Sequence, residues 1–545
     1  MSIAAPFETP GNKHKSIVAI AATALLFVVL AVLLDGPIWL VKLVPTQDGP
    51  VHLAQADLIA RFGWGGPLQE PAASFYQWNP RIEPNSAIYL LLAGLIRLTG
   101  DALTANSLFL SLYGLLWIGA AYVVSRSATD RPVLPMLLML PIAFGVFIHW
   151  GFYNFALGVP LFLLFAGFWR RVRERGDAMA FVMTALFFAA LYLTHITAVA
   201  AACLLLAADG VARSLRELKR SGAGAAGRRL LIDGTWALAA ALPVLLLIAS
   251  FMLTYQNIPL EPAGNDGGTP QVFRRIFAAT YLFSFTWWEL VALAPLLGAL
   301  AIAALAALRR IRSGDLMWPV FFVLVLLVSL LNLKIGPAPL SERLAPFSGI
   351  AIVMTIASRQ PGAALVRTLC VAALAGLVGQ TAVRSLAYKS WAPTLESELA
   401  AGRANPGKTF ANLDLIAQRD SRLFAWRVRP TLHAAQTVAL AARGAGLSSP
   451  LPSTRYFGYF PLQYIEARDF MRATEDWVDE PEAAGLAKFR AANKGAPQVL
   501  IVSSSNDDGS AMASKLGYRD CTADRAGRRE ISVCRVATEV SAARD

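Results

Sequence analysis

Apolar runs close to twenty residues long, separated by short polar turns, fill residues 1–386. A helix rises about 1.5 Å per residue, so about twenty apolar residues cross the hydrocarbon core of a bilayer. The pattern predicts spans near 17–34, 104–124, 133–148, 152–169, 180–194, 196–212, 230–253, 286–308, 317–333, 346–358 and 363–384. Hydropathy leaves two stretches ambiguous, and the basic residues decide both. Arg170, Arg171, Arg173 and Arg175 precede 180–212, and Arg213, Arg216, Lys219 and Arg220 follow it. Both clusters belong on the cytoplasmic side, so the chain crosses twice there, with Thr194 and His195 at the outer tip. A crossing at 87–98 would carry Arg126 and Arg131 outside, so that stretch is expected as a surface helix near 86–98.

With these choices Lys13 and Lys15, Arg126 and Arg131, Arg309, Arg310 and Arg312, and Arg359 and Arg367 all lie inside. Eleven crossings then put the N-terminus in the cytoplasm and the C-terminus outside. The first apolar run is long for a signal-peptide core and no small-residue cleavage site follows, which predicts a retained signal anchor. The outer loops fall at 35–103, 149–151, 194–196, 254–275 and 334–345; the fourth holds the Gly-rich stretch 261–269 and the cations Arg274 and Arg275.

Beyond residue 386 the apolar runs give way to mixed polar sequence, and 387–545 is expected as a separate α/β domain on the outer side. "APQVLIVSSSNDDG" reads as a buried strand and a turn, followed by a helix at 510–516. "GYRDCTADRAGRREISVCRV" reads as a hairpin turning near Ala526 and Gly527. Cys521 and Cys534 flank it and are candidates for a disulfide in an oxidising compartment; two free thiols are the alternative. Cys203 and Cys370 fall inside spans and read as packing residues.

Composition agrees with a polytopic helical membrane protein: 56% apolar, 16% charged, mean hydropathy +0.50. The formal charge of +13 does not indicate nucleic acid, because the cations are dispersed in the turns between spans.

Polar groups at membrane depth usually line cavities or carry function. Of five histidines, His14 lies in the cytoplasmic tail, whereas His52, His149, His195 and His433 fall on the outer side. The first three stand at outer ends of spans, so folding can gather them around one outward-facing cavity. Asp48, in "VPTQDGPVHLAQADLIARF", is followed by a Gly-Pro turn and the amphipathic stretch beginning at His52. A carboxylate at a cavity mouth can act as a general base, or it can simply cap the following helix. Asp35-Gly36-Pro37 repeats the same tripeptide, so "DGP" alone does not distinguish these roles. The outer loop "NLKIGPAPLSERLAPF" places Lys334 and Arg343 beside Glu342, where positive-inside orientation does not account for the cations. They suit a phosphate or lipid head group, or they snorkel to the interface. The chain has no P-loop, HExxH, Gly-x-Ser-x-Gly or paired-Cys metal motif.

The order of these features resembles the GT-C superfamily of polyprenyl-phosphate-dependent glycosyltransferases. A first span leads to an outer loop with an early acid, a surface helix, then "LTANSLFLSLYGLLWIGAAYVVSR", "HWGFYNFALGVPLFLLFAGFWRR", the hairpin "ALYLTHITAVAAACLLLAAD" and an outer soluble domain. The resemblance implies a GT-C-like bundle in a bacterial inner membrane with a periplasmic C-terminal α/β domain. Its substrates would be a polyprenyl-phosphate sugar donor and a glycan, lipid or protein acceptor of the envelope. Asp48 takes the place of the superfamily's acidic residue, a catalytic base or metal ligand, and Lys334 and Arg343 that of the lipid-phosphate ligands. His52, His149, His195 and Glu342 are candidates for holding the acceptor or a divalent metal. "IHWGFYNF" has His149 and no carboxylate where the superfamily's second outer loop often carries an acid. That departure keeps open a non-catalytic protein that binds lipid-linked glycan or scaffolds a partner. A lipid-linked sugar transporter is the third reading, for which broken paired helices at the midplane would be expected.

Overall fold

The computed structural model describes residues 10–175, 177–254, 286–309, 316–330, 334–335, 338–416, 428–447, 460–465, 490, 497–504, 509–526 and 529–536. Only the backbone is described at 10–20, 308, 334–335, 338–341 and 526. The Gly-rich stretch 261–269, Arg274, Arg275, Arg310, Arg312, Gly527 and the side chain of Lys334 lie outside this description.

Helix α1 (Pro10–Asp35) ends where Gly36 and Pro37 turn the chain into a short 3-10 segment, because proline supplies no N–H to continue the ladder. α2 (Gly49–Phe62) and α3 (Ala87–Thr99) form the first outer loop's helices. α3 has 13 residues, about 20 Å. α4 (Ala102–Ala128) starts at Asp101, whose carboxylate accepts Thr104 N–H at 2.7 Å. The next expected span is instead α5 (Val133–Met139), a 3-10 turn and α6 (Val146–His149). Pro141 and Gly145 divide it, and the division leaves the 145–151 backbone free to form a wall of the site described below.

α7 (Tyr153–Val172) returns across the bundle, and α8 (Ala178–Thr194) and α9 (Ile196–Ser221) meet at His195. There the backbone is extended (φ −167°, ψ 135°), and the imidazole caps α9 by accepting Thr197 N–H at 3.0 Å. The remaining bundle helices are α10 (Ala223–Thr254), α11 (Trp287–Arg309), α12 (Met317–Leu330), α13 (Leu340–Ser358) and α14 (Ala363–Arg403). Two-residue strands β2 (Lys334–Ile335) and β3 (Ala338–Pro339) pair between α12 and α13. Among the described residues seven helical segments are long and apolar enough to cross a membrane, and four apolar ones are shorter. α11 and α14 approach closely because Gly376 and Gly379 offer no Cβ; one at Gly379 would stand 2.7 Å from Ala292 Cβ.

At the end of α7 away from Asp48, buried Asp209 pairs with Arg173 and Arg213, which also reaches Asp233 at 3.3 Å. This ion network joins α7, α9 and α10.

α14 continues without interruption through the composition boundary at 386 into the outer unit. Its 41 residues extend about 60 Å, twice a hydrocarbon core. A five-stranded sheet follows in the order β5-β4-β7-β9-β8. β4 (Thr409–Asp414) pairs in parallel with β5 (Ala445–Gly446) and β7 (Val499–Ser504). β9 (Arg529–Val536) is antiparallel to β7 and to β8 (Tyr518–Ala526). The expected helix after β7 is α16 (Gly509–Lys515), and Cys521 is bonded to Cys534 across the β8–β9 hairpin.

The first outer loop is built into this unit. β1 (Tyr76–Trp78) pairs with β6 (Leu462–Tyr464), and Leu58, Phe75 and Tyr76 share a core with Leu413, Leu500 and Tyr518. α15 (Ala434–Ala442) packs against both α14 and α2.

Candidate functional site

Asp48 and His433 each occupy the cap position of a helix, α2 and α15, and the packing of those helices brings the two side chains together. His433 Nε2 lies 3.3 Å from Asp48 Oδ1. The carboxylate is 15% exposed, whereas the imidazole is buried and its Nδ1 has no hydrogen-bond partner among the described residues. Asp48 makes no side-chain cap bond to α2, so the blander role of a capping aspartate is not the one it fills.

The Asp48 backbone is held from two directions. Gln47 N–H donates to His149 O at 2.8 Å and Asp48 N–H to Trp150 O at 3.0 Å. Gly151 adopts φ +80°, and a Cβ on it would stand 2.3 Å from Gly49 N, so the two loops meet backbone to backbone. From the outer unit, Arg429 N–H donates to Gln47 Oε1 at 3.3 Å, while its guanidinium binds Asp414 at 3.2 Å.

His52 stands behind Asp48, with Nδ1 2.7 Å from Tyr89 OH and its ring among Tyr89, Tyr153 and Phe460. Burial holds its pKa down to about 4 against the pull of Asp48, with His433 adding to the depression, so His52 is neutral at pH 7. It cannot donate a proton as an imidazolium there.

His195 and Arg343 form a second pair. Arg343 Nη1 lies 3.1 Å from His195 Nε2, and the guanidinium sits 5.2 Å over the Phe152 ring. Both ring nitrogens of His195 face donors, Thr197 N–H at Nδ1 and Arg343 Nη1–H at Nε2, and a neutral ring accepts from one of them at a time. Trp150, whose carbonyl holds Asp48, packs on Phe152 at 5.5 Å and links this pair to the first. Glu342 lies half-buried in the first turn of α13 beside Arg343 and makes no hydrogen bond among the described residues.

His149 is placed differently from the other expected residues. Its ring is fully buried, Nδ1 lies 2.8 Å from Gly145 O, and Nε2 lies 2.8 Å from Tyr388 OH. Both nitrogens are spent inside the wall and none is left for a substrate or metal. Among the described residues no three His, Cys, Asp or Glu side chains group closely enough to hold a metal ion. The sequence had marked His433 only as an outer-side histidine, and its partnership with Asp48 spans 385 positions without any local signal.

No protein-family model matches the chain, and no curated protein matches it. Among solved structures it is similar to the crystal structure of ArnT from Cupriavidus metallidurans in the apo state. Identity is 14% and the TM-score 0.49, over 95% of this chain and 99% of that one. Similarity at this level settles neither family nor reaction, so the functional reading rests on the site itself.

Proposed function

We propose that the protein is a GT-C-type membrane glycosyltransferase that moves a sugar from a polyprenyl-phosphate donor to an acceptor of the cell envelope. Eleven crossings of a bacterial inner membrane would leave the N-terminus in the cytoplasm. Residues 387–545 would then form a periplasmic unit. The Cys521–Cys534 disulfide supports that side, because such bonds persist in oxidising compartments.

The observation that carries the proposal is Asp48: partly exposed, held by its backbone, and met among the described residues by a single side-chain partner that the outer unit supplies. In the reaction Asp48 takes the proton from an acceptor O–H or N–H as that atom bonds to the anomeric carbon of the donor. The anomeric C–O bond to phosphate breaks, and its electron pair leaves with polyprenyl phosphate. The protonated Asp48, the exposed member of the pair, then returns its proton to solvent, while His433 stays hydrogen-bonded beside it. The Arg343 guanidinium is the donor for the phosphate oxygens, oriented by its contact with His195, and a preorganised donor of this kind contributes about 3–4 kcal/mol at a transition state. Lys334 borders the same loop and is proposed to join it. His52 serves as a neutral hydrogen-bonding support. No step is routed through a metal, since the described residues offer no ligand set for one.

Release of polyprenyl phosphate from a panel of polyprenyl-phosphate sugars tests this, with crude envelope extract as acceptor. Wild-type membranes should release the carrier from at least one donor, and Asp48→Asn of equal detergent stability should not. Donor binding without release by the wild type would favour the non-catalytic glycan-binding protein instead, a reading that the spent nitrogens of His149 also suit.

A further inference from the structure

We infer that Tyr388 and His149 are positioning residues for Asp48, tying the catalytic loop to the one helix that also carries the outer unit. The inference rests on the reading of Asp48 as the general base.

A carbonyl has no proton to give, so the 2.8 Å contact between His149 Nδ1 and Gly145 O makes Nδ1 the protonated nitrogen. Nε2 then has its lone pair free and accepts from Tyr388 O–H at 2.8 Å. One neutral tautomer satisfies both contacts, and the same residue's carbonyl accepts Gln47 N–H. Tyr388 thus fixes the imidazole, the imidazole fixes the 145–149 turn, and that turn fixes the backbone on which Asp48 stands.

Tyr388 itself is immobilised. One helical turn earlier Arg384 is fully buried, 3.9 Å from Glu289 Oε1 and over the Phe144 ring at 5.0 Å. Arg384 also donates to Leu34 O at 3.5 Å. These contacts pin α14 to α1, to α11 and to the turn after α5. Beyond Tyr388 the same helix packs on α15, whose cap residue is His433. α14 therefore reaches Asp48 twice: through Tyr388 and His149 to its backbone, and through α15 and His433 to its carboxylate. A single rigid element sets both the position of the base and the position of its partner. Losing the Tyr388 hydroxyl frees one route while leaving the other, and the 3.3 Å alignment between Asp48 and His433 is what suffers. Misplacement of a reacting group by about 1 Å lowers turnover about 100-fold.

Tyr388→Phe and His149→Asn remove the same hydrogen bond from opposite ends, and the asparagine amide keeps a donor near Gly145 O. Each should lower kcat for carrier release by about 10- to 100-fold with donor KM within about twofold. The double variant should be no worse than the more affected single one. Unchanged kcat per folded molecule, or effects that multiply, would overturn the inference, whatever happens to thermal stability. A readout independent of turnover separates this from failure of the transferase reading itself. In a background of Cys203→Ser and Cys370→Ser, Asp48→Cys is alkylated with a membrane-impermeant maleimide, with and without Tyr388→Phe. The positioning role predicts a several-fold change in alkylation rate. Equal rates contradict it even if the wild type releases carrier from no donor.

Discussion

Asp209 and Asp48 stand near opposite ends of α7, whose 20 residues separate them by about 30 Å. Asp209 is fully buried and its oxygens accept from Trp169 Nε1, Arg173 and Arg213. Asp48 is 15% exposed and has one neighbour at 3.3 Å, which donates only while Nε2 carries a proton; its other oxygen meets no donor among the described residues. The first carboxylate is saturated, and any new donor would have to displace an arginine. The second has room for the proton of a substrate. On the proposed reading, saturation, rather than burial or charge, separates an aspartate that ties helices together from one placed to react.

The largest effect expected from breaking this contrast is at the saturated end. Asp209→Asn takes from Arg173 and Arg213 the buried carboxylate they share, leaving only Glu174 and Asp233 nearby among the described residues, and breaking a buried pair in this way destabilises by about 3–5 kcal/mol. Denaturation in detergent should show the loss, while turnover per folded molecule stays at the wild-type level. The reactive end has its own stability signature. The pKa of His52 is held at about 4, whereas the unfolded chain titrates near the ordinary value of about 6.5. The unfolded state therefore binds the proton first on acidification. Stability is complete above about pH 6.5 and falls as the pH drops toward 4, by up to about 3 kcal/mol. Melting temperatures from pH 7 to 4.5 should record this slope, and His52→Gln should flatten it.

A smaller effect concerns the unit that supplies His433. Cys521 and Cys534 close a short loop with a sequence separation of 13, and removing that crosslink lowers the stability of the outer unit by about 2–3 kcal/mol. Limited proteolysis of Cys521→Ser should find that unit more susceptible with the helix bundle unaffected. The smallest effect is at Lys42 and Glu396, 3.9 Å apart and both well exposed, where Lys42→Ala should change stability by less than about 0.5 kcal/mol. A larger change there would weaken the claim that saturation of buried groups is what matters.

Much of the bundle was legible because a membrane helix must satisfy its own backbone, and apolar length with flanking charge records that requirement. The basic clusters on either side of 180–212 called for two helices, and the structure divides them at His195. The crossing expected at 133–148 hid a break, since Pro141 and Gly145 interrupt the helix without interrupting hydropathy. The position of Asp48 on a turn was legible from Gly49 and Pro50. His433 was not, because its role arises when α15 packs on α2, a contact that no periodicity encodes. The pairing of β1 with β6 escaped notice for the same reason: three-residue strands nearly 400 positions apart carry too little pattern. Tyr388 and Arg384 were absorbed into a span whose buried polar partners lie on other helices.

The central claim is tested most directly by measuring carrier release per folded molecule for Asp48→Asn beside Asp209→Asn, on the donor that the wild type uses. A general base contributes about 100- to 10,000-fold. The account predicts a loss in that range for Asp48→Asn with thermal stability near wild type, and the reverse pattern for Asp209→Asn. Full turnover by a folded Asp48→Asn protein would contradict it.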